Sequence, residues 1–174
     1  MLFYDKFKKR YHTTTFLIEN RYGTMYKGGK FLLSTSYDVL EFCKVLSNST
    51  VDLKIVLDYP QIFSANQINL DTLGENELKR IIDFNNTLKS YKDKIGGFHM
   101  WGKQKSDKGK WIAHKGNFDT FFGNNRELKH KYLESVFSTF NDGIARYFVP
   151  EVNSGEKDLH SIVNDLEQEG FIFI

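Results

Sequence analysis

The chain has 174 residues, 40% of them hydrophobic and 26% charged, with a formal charge of +2. That length and balance predict one domain of ordinary globular composition with a sizeable core, and the small net charge gives no broad pull toward nucleic acid or an anionic membrane. A lone cysteine, Cys43, excludes an internal disulfide framework. No run approaches the ~20 apolar residues of a membrane span, and the basic start "MLFYDKFKKRYH" lacks an apolar signal core. These features predict a cytoplasmic protein with no membrane contact.

Four short runs are nearly continuous in apolar, β-branched or aromatic character. The first is "TTTFLIEN", Thr13 to Asn20. Runs of this kind suit strands buried on both faces, as in a parallel sheet. "YKGGK", Tyr26 to Lys30, carries a glycine pair that a turn explains better than phosphate binding. "STSYDVLEFCKVL" opens on Ser/Thr cap candidates and carries apolar residues at Val39, Leu40, Phe42, Cys43 and Leu46, a helical stripe. Cys43 within it is expected to be a buried thiol rather than a nucleophile.

The second strand is "LKIVLDY", Leu53 to Tyr59, followed by a helix over "GENELKRIIDFNNTLKSY". The third is "IGGFHMW", Ile95 to Trp101. Lys103 to Asn125 then reads as an elaborated loop, and loops of such length are functional or disordered. "NRELKHKYLESVFSTF" gives the next helix. "RYFVPEV", Arg146 to Val152, is the fourth strand, with Pro150 at a bulge, an edge or the strand's end. "EKDLHSIVNDLEQEG" is the last helix, with Gly170 as a C-cap.

The expected class is therefore α/β: four βα units in a single domain spanning residues 1–174, with parallel strands near 13–20, 53–59, 95–101 and 146–152. Each run closes on an acid or a histidine: Glu19, Asp58, His99 and Glu151. In parallel α/β sheets the C-terminal strand ends line the site. Three carboxylates placed together repel one another unless a cation intervenes. With one imidazole they form a hard shell suited to Mn²⁺, Mg²⁺, Co²⁺ or Zn²⁺. The bland alternative for each acid is an N-cap or a partner for a nearby lysine. His130 and His160 lie in helical patterns and are expected at the surface.

The set "FLIENRYG", "KIVLDYPQIFSA", "GGFHMWGK", "AHKGNFD" and "FVPEVNS" resembles the second half of xylose-isomerase-like TIM barrels. That superfamily includes sugar isomerases, epimerases and abasic-site nucleases of the endonuclease IV type. The resemblance runs from about Phe16 to Phe173 and rests on the order and spacing of short motifs. It implies Glu19, Asp58, His99 and Glu151 as ligands of one divalent metal, with Glu19 and Glu151 moving the substrate proton. It also implies a role for His114, beside Gly116, as a loop histidine. Gln61 stands where the family pattern has a histidine, and Ile112 where the nuclease type has an aspartate; both changes damage a three-zinc site more than a one-metal site.

Three functions follow as expectations. The first is a metal-dependent sugar or sugar-phosphate isomerase or epimerase, in which Gln61, Trp101, Lys103 and Lys115 contact substrate. The second is a phosphodiesterase acting on abasic DNA. In it, Lys103, Lys105, Lys108, Lys110 and Lys115 would neutralise phosphates while Trp101 and Trp111 stack on bases or sugar. The third is a non-catalytic half-barrel used for assembly. A full (β/α)₈ barrel takes ~250 residues, so the missing strands would come from a second copy, another chain, or the rest of a larger protein.

Overall fold

A computed structural model describes residues 2–23 and 28–174. Tyr26 and Lys27 of the expected glycine turn lie outside them, while Gly28 and Gly29 adopt positive φ of 86° and 87°. The chain is α/β. Helix α1 (Leu2–Arg10) precedes strand β1 (Phe16–Glu19), then α2 (Ser36–Ser47), β2 (Leu53–Asp58) and α3 (Tyr59–Ala65). Next come α4 (Glu75–Leu88), β3 (Ile95–His99), β4 (Lys103–Lys105), β5 (Trp111–Ala113), α5 (Phe118–Phe121), α6 (Arg126–Phe140), β6 (Tyr147–Val149) and α7 (Glu156–Gln168).

The main sheet has the order β1-β2-β3-β6, and every pairing in it is parallel. Strand order follows chain order, as successive crossovers of one hand require. All four C-terminal ends therefore lie at the same side of the sheet. Its core face is built from Ile55, Leu57 and Phe98, against which α2, α4 and α6 bring Val39, Cys43, Leu78, Ile81, Leu133 and Val136. Burial pushes the Cys43 thiol up to about 12, as suits a packing residue. Among the described residues no helix is long and apolar enough to cross a membrane.

Two glycines set the register that matters for the site. Ile55 pairs with Ile95, but Val56 pairs with Gly97, so β3 carries one extra residue at Gly96. A Cβ on Gly97 would meet the Tyr147 carbonyl oxygen at 2.7 Å, and one on Gly96 would meet Leu17 at 2.6 Å. Without the extra residue Asp58 would lie opposite Phe98. With it, Asp58 lies opposite His99, and both face the same side.

Several local expectations need correction. Helices α1 and α3 were not anticipated. The segment after Trp101 is not a plain loop. It contains the antiparallel β4–β5 hairpin and the short helix α5, which anchors itself through buried Phe118, Phe121 and Phe122. The strands are also shorter than expected: β1 omits residues 13–15, and β6 stops at Val149, so Pro150 follows the strand rather than interrupting it.

Candidate metal centre

Glu19, Asp58 and His99 are the last residues of β1, β2 and β3, and Glu151 lies two residues beyond β6. Glu19, Asp58 and His99 each offer a ligand atom, and these atoms all lie within 4.8 Å of one another. The fourth acid approaches through His99: its Oε1 is 3.3 Å from His99 Nδ1, while Glu19 Oε1 stands 3.4 Å from the same nitrogen.

Neither approach is a hydrogen bond. His99 Nδ1 is buried and has no hydrogen-bond partner among the described residues. Buried polar atoms are rarely left so. Two ligands each ~2.1 Å from a divalent ion, at the angles of tetrahedral or octahedral coordination, stand roughly 3.0–3.4 Å apart. The spacing around Nδ1 is compatible with atoms facing a common ion, and equally with a protonated His99 paired to both acids. The donor set of carboxylate oxygens and one imidazole fits a hard or borderline cation.

The acids are not equivalent. Asp58 is 1% exposed, and burial lifts its carboxyl to about 7, with the charges of Glu19 and Glu151 adding to the shift. Two donors oppose this: the Gln61 backbone N–H, 3.0 Å from Oδ1, and the Trp101 indole Nε1–H, 3.2 Å from Oδ2. Asp58 is thus the N-cap of α3 as well as a member of the cluster. The facing His99 imidazole holds Glu19 below the usual carboxylate range, and Glu19, ahead of Glu151 and Asp58, raises the His99 pKa.

The loop histidine joins the cluster from β5. His114 Nδ1 lies 3.3 Å from Glu151 Oε2, and its ring stacks on Trp101 with centroids 4.0 Å apart. Trp101 itself is 1% exposed. Wedged between His114 and Asp58, it supports the site from behind and offers no free face for stacking. Lys103 donates to Ser64 Oγ at 2.6 Å, lies 5.6 Å from the Trp101 ring, and has its pKa lowered by burial. Gln61 accepts the Tyr22 N–H at 3.2 Å, tying the segment after β1 to α3. Lys115 is exposed, as are His130 and His160.

Lys105 is paired to Asp71 at 2.6 Å, and Trp111 donates to the same carboxylate. Lys108 and Lys110 are exposed in the turn.

One residue of structural weight escaped the sequence reading. Asn20, fully buried, accepts the Asp58 N–H through Oδ1 at 2.9 Å and donates Nδ2 to the Asp58 carbonyl at 3.0 Å. Its side chain takes the place of a further strand residue and fixes where the Asp58 carboxylate points. The signal was a polar residue directly after an apolar strand, which a turn would explain equally well. No family model matches the sequence, and no curated protein matches it.

Proposed function

We propose that this chain carries a single divalent-metal site that isomerises or epimerises a sugar or sugar phosphate by proton transfer beside a carbonyl. The observation that carries the reading is the buried, unbonded Nδ1 of His99 between the carboxylates of Glu19 and Glu151. Glu19, Asp58 and His99 would hold the ion, with Glu151 completing the set. When bound, Mn²⁺, Mg²⁺, Co²⁺ or Zn²⁺ supplies a Lewis acid for a hydroxy-carbonyl group.

Glu19 ends β1 and Glu151 follows β6, the two outer strands of the four-stranded sheet, and the two carboxylates meet on either side of His99 Nδ1. That placement suits one carboxylate taking the carbon-bound proton and the other returning it. Gln61, Lys103 and Lys115 remain our candidates for substrate contacts. We read the four βα units as the second half of a (β/α)₈ barrel. Each outer strand pairs on one side only among the described residues, which suits completion by a second copy or by further chain. A cytoplasmic setting accords with this reading. A phosphodiesterase on abasic DNA is the weaker alternative, because Lys105 is engaged by Asp71 and Lys103 by Ser64. Non-catalytic assembly is the third, and one bound metal ion per site, measured after purification, would argue against it.

The test is deuterium wash-in from D₂O to the carbon beside the carbonyl of dihydroxyacetone, with Mn²⁺-loaded protein. Wild type should exchange, and Glu151→Gln should stay folded while losing exchange. Normal exchange in that variant removes the assignment. DNA binding at low salt that weakens steeply as salt rises would favour the phosphodiesterase instead.

A further inference from the structure

His114 is held more firmly than a half-exposed loop side chain needs to be. Its backbone takes the left-handed conformation, φ 57°, and its carbonyl accepts the Asn153 N–H at 2.7 Å. The ring lies on Trp101, and Nδ1 sits 3.3 Å from the Glu151 backbone carbonyl as well as 3.3 Å from the Glu151 carboxylate. These restraints come from two separate parts of the chain, Trp101 and residues 151–153, and together fix one ring orientation.

The carbonyl contact decides the tautomer. A carbonyl oxygen has no proton to give, so His114 Nδ1 must be the donor. In the neutral ring the lone pair then belongs to Nε2. No described residue hydrogen-bonds Nε2, and the side chain is 28% exposed. A nitrogen base with a fixed tautomer is thus left open beside the acid cluster, with a carboxylate behind it.

We infer that His114 takes and returns the proton carried on a substrate oxygen, through Nε2, with Glu151 and Trp101 positioning the ring. The inference rests on the isomerase reading. Interconversion of a hydroxy-carbonyl moves two protons, one between carbons and one between oxygens. As a carboxylate removes the C–H proton, that electron pair forms the C=C bond and the C=O pair moves onto oxygen. The adjacent hydroxyl must lose its proton as its own C=O forms, and the first oxygen must gain one. Neutral His114 accepts the hydroxyl proton and becomes an imidazolium facing Glu151. It then gives the proton to the other oxygen and returns neutral. No oxidant or reductant enters.

His114→Asn tests this, since asparagine keeps an N–H near the Nδ1 position and removes Nε2. The variant should bind Mn²⁺ as wild type does and should convert dihydroxyacetone to glyceraldehyde at least ~100-fold more slowly. Loss of Mn²⁺ binding would make His114 a ligand and overturn the inference, as would unchanged conversion. Nitrogen-resolved NMR of the metal-free protein decides the tautomer independently. It should show the His114 proton on Nδ1; a proton on Nε2 refutes the assignment whatever the variant does. A wild-type chain that takes up no Mn²⁺ would instead defeat the isomerase reading itself.

Discussion

The indole Nε1–H of Trp101 donates to Asp58 Oδ2 at 3.2 Å, joining the residue that opens the hairpin segment to the acid that ends β2. The bond stabilises the ionised carboxylate, and the ring carrying it also backs His114. Replacing Trp101 by Phe keeps an aromatic face but deletes the donor. The Asp58 pKa should then rise above about 7, and Mn²⁺ affinity should fall roughly 10–100-fold, as for lost orienting partners of metal ligands. Carboxyl NMR titration and metal titration read the two effects. An unmoved Asp58 pKa would show the hydrogen bond to be inconsequential.

Asp58 also makes the metal-free protein sensitive to pH. Its folded pKa, about 7, lies above its unfolded value, which is about 3.9. The folded state therefore binds more protons between those limits. Asp58's contribution to stability is fully present below about pH 4 and is lost as pH rises through about 7. His99, with its raised pKa, acts in the same direction above its unfolded value of about 6.5. Glu19 opposes them at low pH, since its depressed pKa gives stability that is lost on acidification. Urea melts of metal-free protein should lose stability from pH 5 to pH 8, and Mn²⁺ should restore most at the upper end. A flat profile would contradict the burial argument.

Asn20→Ala removes both side-chain bonds to the Asp58 backbone in a fully buried place. It strands a buried N–H and C=O, at a cost of about 1–3 kcal/mol for each. Chemical denaturation should show that loss, with weakened metal binding because Asp58 is no longer aimed. A variant of wild-type stability would mean that water or a neighbour satisfies these groups.

Gly102→Ala tests how the hairpin seats beside the site. A Cβ at Gly102 would lie 2.4 Å from the Gly116 carbonyl carbon and 2.5 Å from Asn117 N, both backbone atoms that cannot swing aside. The substitution should cost about 1–3 kcal/mol or more and displace His114, reducing the expected turnover further than stability alone explains. Retained stability would show that the two segments separate freely.

The strand and helix order was legible because β2 and β3 are continuous apolar runs and α2, α4 and α6 carry one-sided stripes. Those signals arise from burial, which dominates local choice. Helix α3 was hidden because it begins directly at the strand's last residue, with Asp58 as cap and Pro60 in its first turn. The β4–β5 hairpin was hidden because "KQK" is too polar to read as a strand and pairs only through its backbone. At the site, polar ends of parallel strands pointed to Glu19, Asp58 and His99 as neighbours. Nothing local indicated that Trp101 would be buried with its N–H on Asp58, or that Asn20 would bridge back to β2. Both depend on contacts across about forty residues of chain.

The central claim is that the carboxylates and His99 share an ion. Anomalous diffraction from crystals soaked in Mn²⁺ addresses it most directly. The account predicts one peak between Glu19, Asp58 and His99, within ~2.0–2.4 Å of a carboxylate oxygen from each acid and of His99 Nδ1, and none in His99→Ala. An empty cluster at saturating Mn²⁺, or an ion bound elsewhere and unaffected by that substitution, would contradict it.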